Sequence, residues 1–130
     1  MKDRRVEDEA AKEEQHRKFM EVKAITKYQR MSPAKVGPVA RLITGRSAGE
    51  ALSVLQAVPK KSARLIEKTL KSAIANATNN AKLSAEALRV KSAVANEGPR
   101  MKRWQPKARG SAGPILKRQC HIEVVVTDGQ

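Results

Sequence analysis

Between Gly98 and Arg118 the chain carries seven basic residues (Arg100, Lys102, Arg103, Lys107, Arg109, Lys117 and Arg118) and no acidic one. Cations at this density neutralise phosphates and release their counterions, the sequence-independent part of nucleic-acid binding. The same stretch holds the only tryptophan, Trp104, with three of the six prolines and three of the seven glycines. Trp104 suits two roles: stacking on an unpaired base, or a small apolar contact within the stretch itself. The segment is too polar for a core strand and too long for a simple turn, and strand-like alternation flanks it. This pattern predicts a basic β-hairpin arm over residues 97–121. An isolated two-stranded ribbon is at best marginal in water, and a basic one repels itself, so a polyanionic partner is expected to order it.

Other chemistry is poorly supported. No phosphate loop, dinucleotide fingerprint or zinc-ligand spacing occurs. The single cysteine, Cys120, excludes an intrachain disulfide and sits in an alternating strand pattern, as a small buried apolar residue would. His121 follows it and therefore points to the opposite face, so the two do not pair as nucleophile and base. His16 and His121 are the only histidines, and no carboxylates cluster with them. Glu67 is expected to pair with Lys71 four residues on. No matched acid–base pair is visible, and the chain reads as a non-enzyme without cofactor or metal.

The whole composition points the same way. The formal net charge of the 130 residues is +14. Residues 1–19 hold six basic and six acidic residues, so the excess lies entirely in residues 20–130. The mixed-charge segment predicts a solvated, partly helical extension before a single domain over 20–130. It has no apolar run like that of a signal peptide, and its acids argue against a transit peptide. Met20 opens the patterned part and is a candidate alternative start. No apolar run approaches the roughly 20 residues of a membrane span. Aromatics are scarce, so the core must be built from Ala, Val, Ile and Leu.

Elements must hold the arm. Val22–Met31 reads as a strand with Val22, Ala24, Thr26 and Tyr28 on one face and Lys23, Ile25 and Lys27 on the other. Ser32-Pro33 is a helix start, with Gly45 as its left-handed end and Pro38 predicting a bend or irregular first turn. Ser47 to Glu50 has capping-box spacing and opens a helix ending before Pro59. Pro59 is expected to start the longest helix, to Asn80. Its apolar stripe is Ala63, Ile66, Leu70, Ala73, Ile74 and Ala77. Lys60, Arg64, Lys68 and Lys71 form a second stripe, which is either a solvated face or, given the net charge, a phosphate-contacting one. Two more strands flank the arm. Leu88–Asn96 should turn Leu88, Val90, Ser92 and Val94 inward. Gln119–Thr127 should turn Cys120, Ile122, Val124 and Val126 inward. The order predicts an α+β fold: a three-stranded antiparallel sheet packed with three helices, plus a long protruding basic β-hairpin.

A collinear set of short motifs runs through these elements: Ser32-Pro33-x-Lys35, Leu42-Ile43-x-Gly45, Glu50-Ala51-Leu52, Pro59-Lys60-Lys61, Ile66-Glu67-Lys68, Leu70 to Ala77, Asn79-Asn80, Glu97-Gly98-Pro99, Met101-Lys102-Arg103, Pro106 to Gly110 and His121-Ile122. In these the chain resembles the family of bacterial large-subunit ribosomal protein L-twenty-two, over residues 20–127. The resemblance implies a cytoplasmic constituent of the large ribosomal subunit that binds several domains of 23S rRNA and supports assembly. It implies neighbouring ribosomal proteins as partners, among them ribosomal protein L-four, and contact with the nascent peptide. Residues expected at the RNA on the body are Lys23, Lys27, Arg30, Lys35, Lys60, Lys61, Arg64, Lys68, Lys71 and His121. On the arm they are Arg100, Lys102, Arg103, Trp104, Lys107, Arg109, Lys117 and Arg118. The part implied to line the peptide exit tunnel is Met101, Lys102, Arg103, Trp104, Gln105, Pro106, Lys107, Ala108, Arg109 and Gly110. The chain departs from the family pattern at Ser111-Ala112-Gly113-Pro114, which interrupts the basic run, and at Gly37 and Thr44, where arginines are common. A free DNA-architectural protein with a β-ribbon arm would explain the charge and the arm, but not the motif set.

Overall fold

The computed structural model describes residues 4–10 and 20–128. Residues 4–10 are helical (α1) and exposed; the rest of the expected extension lies outside the described residues. From residue 20 the order is β1 (Glu21–Gln29), α2 (Pro33–Ile43), α3 (Ala48–Ala57), α4 (Lys61–Asn79), β2 (Arg89–Glu97), β3 (Met101–Pro106), β4 (Ala112–Lys117) and β5 (Cys120–Thr127). The body is a three-stranded antiparallel sheet in the order β1-β5-β2, and β3 and β4 form a separate two-stranded sheet. The α+β fold with a hairpin arm is therefore as expected.

β5 is the central strand because it is the most regularly alternating one. Cys120, Ile122, Val124 and Val126 are buried on the helix side, and no bulge interrupts the strand itself. Helices α2, α3 and α4 cover that side. α4 contributes Ala63, Ile66, Leu70, Ala73 and Ala77, all fully buried, while Ile74 lies at the core margin. Val36, Val39, Ala40 and Ile43 of α2 and Leu55 of α3 complete a core of aliphatic side chains. Where Thr69 interrupts the apolar stripe, its hydroxyl donates to the Leu65 carbonyl at 3.0 Å and accepts from Thr26 at 2.8 Å, so α4 is tied to β1 without an orphan polar group.

Helix punctuation follows the local chemistry with shifts. Ser47 Oγ accepts from the Glu50 N–H at the start of α3. Ser32 precedes α2 but makes no side-chain cap. α2 remains helical through Pro38, and Ala34, whose carbonyl loses its intrahelical donor there, is exposed and open to water. The helix ends at Ile43 rather than Gly45, yet Gly45 takes the left-handed conformation (φ +83) and donates to Val90 O at 2.8 Å, tying the helix end to β2. α4 starts at Lys61, two residues after Pro59.

The expected alternation fails in two strands, in each at a bulge. Tyr28 was expected to share a face with Val22, Ala24 and Thr26; it is 60% exposed, with φ +58. The β1–β5 register shifts between Thr26 and Gln29, so one extra residue of β1 breaks the period. Ser92 and Val94 were expected inward; Ser92 stands opposite Val125 and Val94 opposite Glu123, on the face away from the core, and Val94 is 47% exposed. The β2–β5 register shifts between Val90 and Ser92, and Ala93 and Ala95 face the core instead.

Candidate nucleic-acid interface

The arm begins where the ladder of the body sheet ends. Gly98 N–H donates to Gln119 O at 2.9 Å, and Pro99, which has no N–H, follows. Between the pairs Glu97↔Cys120 and Met101↔Lys117, residues 98–100 stand opposite 118–119, a bulge that separates the two sheets. A Cβ at Gly98 would lie 3.2 Å from Gln119 O and 3.3 Å from His121 Cε1, so this crossing is tight and favours glycine. Glu97 sits at the root of the arm. It forms a short ion pair with Arg100 on the outgoing strand and lies 3.7 Å from Arg118 on the return. Both roots are thereby tied to one carboxylate, an interaction between exposed groups that salt weakens.

Beyond the root, pairing runs in register from Met101↔Lys117 to Pro106↔Ala112. Successive side chains alternate, so the ribbon has two different faces. Lys102, Trp104, Pro106, Ala112, Pro114 and Leu116 share one, which is mainly apolar and solvent-facing. Met101, Arg103, Gln105, Gly113, Ile115 and Lys117 share the other. Trp104 is 63% exposed, and the Lys102 ammonium lies 5.2 Å from its ring centroid. Arg103 is folded back along its strand, donating to the Lys102 carbonyl at 2.9 Å. At the tip Lys107 N–H donates to Ser111 O at 2.7 Å, and Arg109 and Gly110 adopt positive φ (58 and 72) to close the turn. The Lys107 stem lies across Gly113.

The basic stripe of α4 is present: Lys60, Arg64, Lys68 and Lys71 are all exposed. Glu67 lies along it, 3.1 Å from Lys71 and accepting from Gln56 at 3.4 Å. These hydrogen bonds, first that from Lys71, hold the Glu67 carboxyl below the usual carboxylate range. Near the arm root, a cleft of about 520 Å³ is lined by Arg30, Met31, Ser32, Lys35, Lys61, Leu116, Lys117 and Arg118. A second hollow of about 450 Å³ shares Met31, Lys35 and Lys61 with it and adds Lys60 and Pro38. The fold thus gathers Arg30, Lys35, Lys60, Lys61, Lys117 and Arg118. Lys23 and Lys27 stand apart on β1, and Lys102, Arg103, Lys107 and Arg109 lie out along the arm.

A profile of ribosomal protein L22p/L17e matches residues 24–127. The chain belongs to the ribosomal protein L22p/L17e family. It is 56% identical over 110 residues to the large ribosomal subunit protein uL22 of Opitutus terrae, covering 85% of this chain and 97% of that protein. It is 57% identical over 109 residues to the protein of the same name from Methylacidiphilum infernorum, covering 84% and 96%. The corresponding protein of Akkermansia muciniphila is 53% identical over 109 residues, covering 84% and 97%. Membership makes the chain a structural ribosomal component rather than an enzyme.

In this family member the site residues differ in how committed they are. His121 is half-buried. Its Nδ1 accepts from the Tyr28 N–H at 3.0 Å, and the two rings meet edge-on at 5.0 Å. It holds the β1 bulge, a structural task that the expectation of RNA contact did not contain. Cys120 is fully buried and burial pushes its thiol up, in keeping with its reading as a core residue. His16 lies outside the described residues. Among the described residues no group of three or more His, Cys, Asp or Glu is placed to hold a metal, and no helix is long and apolar enough to cross a membrane. Sequence reasoning missed the Glu97 root and the cleft. Both join residues far apart in the chain, and the one local signal was Glu97 three residues before Arg100.

Proposed function

We propose that the chain is a cytoplasmic structural constituent of the large ribosomal subunit. It binds 23S rRNA through its basic body and arm, and the arm from Met101 to Gly110 helps line the nascent-peptide exit tunnel beside ribosomal protein L-four. Family membership supports the ribosomal placement. The observation that carries the RNA interface is the arm itself: a separate ribbon whose cations are all exposed and whose only carboxylate neighbour among the described residues is Glu97, at its root. A ribbon with that charge and so little burial of its own gains order from phosphates laid along it. Its narrow section, two strands about 5 Å apart, suits insertion between RNA helices. The tip is closed by a tight turn at Arg109-Gly110.

Sedimentation of cell extracts tests this reading. At high and at low magnesium the protein is expected to travel with large subunits. Recovery on chromosomal DNA, with none in the subunit fractions, would contradict it.

A further inference from the structure

The cations at the arm root line two adjoining hollows that form one trough. Arg30 comes from the β1–α2 turn, Lys35 from α2, Lys60 and Lys61 from the start of α4, Lys117 from the end of the return strand β4 and Arg118 from the link to β5. Arg30, Lys35, Lys60, Lys61 and Lys117 make no ion pair among the described residues, and Arg118 has only the 3.7 Å approach to Glu97, which Arg100 already occupies. Gathering like charges in a concavity raises the local potential and disfavours the empty state, so the arrangement is adapted to an anion. The two hollows share Met31, Lys35 and Lys61, so they adjoin and the six cations line one continuous concave surface of two hollows. Six cations spread over two adjoining hollows fit several phosphates of one chain better than a single compact anion. Met31 and Leu116 supply an apolar lining on which sugar edges can rest.

We propose that this trough grips one RNA strand by its phosphodiester backbone and thereby fixes the arm against the body. The inference rests on the ribosomal RNA reading above and names where the backbone is held. One wall of the trough belongs to the arm and the other to the body, so an occupant bridges them. Without it, the described residues join the arm to the body through a two-strand crossing and the exposed Glu97 pairs.

The test uses the full chain and a 23S rRNA transcript. The trough variant Arg30→Gln/Lys35→Gln/Lys61→Gln is compared with Arg41→Gln/Lys82→Gln/Arg89→Gln, which removes the same charge at positions not placed at the RNA. All six side chains are exposed, so both variants should fold, as checked by circular dichroism. Spin labels at Ser111→Cys on the arm and Ala75→Cys on α4 report the arm-to-body distance distribution, with Cys120 buried from the reagent. In the parent chain, saturating RNA should narrow that distribution. The trough variant should bind with a salt slope lower by about 2–3, at about 0.7–0.9 per lost phosphate contact. It should keep a broad distribution even when saturated. The control variant should narrow like the parent, and Arg30→Lys/Lys35→Arg/Lys61→Arg should restore narrowing. A trough variant that narrows normally, or whose slope matches the parent, overturns the proposal while leaving RNA binding intact. A parent chain that does not bind the transcript would instead overturn the ribosomal RNA reading itself.

Discussion

Single residues at the arm root carry more constraint than their size suggests. A methyl at Gly98 meets backbone, 3.2 Å from the Gln119 carbonyl oxygen, and the strands there cannot part without losing the Gly98–Gln119 hydrogen bond. Gly98→Ala is expected to destabilise by about 1–2 kcal/mol, as overpacking does. Gly113 makes the useful contrast. A Cβ there would come within 2.6 Å of Lys107 Cε, but that atom ends a flexible stem that can swing away. Gly113→Ala should stay within about 0.5 kcal/mol of the parent. Urea denaturation of both variants separates the two cases. Glu67 gives a pH signature. Its carboxyl is held below its ordinary value by Lys71 and Gln56, so the folded state favours the charged form. That stabilisation is present above the unfolded-state value and is lost as pH falls through the lowered folded-state value. The stability gap between the parent and Glu67→Gln should therefore be open at neutral pH and close on acidification, measured by thermal melts across that range.

At the scale of elements, the long helix is the organiser of the body. Leu70 is fully buried in the middle of α4, whose buried face packs on β1, β5 and α3. Leu70→Ala should cost about 2–5 kcal/mol by transfer loss plus the cavity left behind. This helix was legible because its period of three and four residues persists from Ala63 to Ala77. β5 was legible because nothing interrupts its period of two. β1 and β2 were legible only up to their bulges. One inserted residue turns every later side chain to the other face, and neither Lys27-Tyr28 nor Lys91 carries a glycine or proline to announce it. Tyr28 in particular occupies a left-handed conformation that its type disfavours, held by a histidine on another strand. The hairpin was visible through its charge and its flanking strands. The trough was not, because its walls come from four elements that only tertiary packing brings together.

The molecule as a whole is a compact aliphatic body that carries its charge outward, along α4, into the trough and out to the arm tip. On the proposed reading the RNA meets the body and the arm root through the trough and α4, while the arm from Met101 to Gly110 serves the tunnel, so the two should fail separately. Deleting Met101–Arg103 should leave large subunits sedimenting normally and alter passage of nascent chains, read by ribosome profiling; complete loss of large subunits would contradict that division. The most direct measurement is a residue-resolved crosslinking map of this protein on ribosomal RNA in purified large subunits. The account predicts crosslinks to 23S rRNA from the trough and from the arm, with arm-tip crosslinks at Lys107 and Arg109 falling on nucleotides of the exit tunnel. Crosslinks confined to the body, with Met101–Gly110 free of RNA, would contradict it.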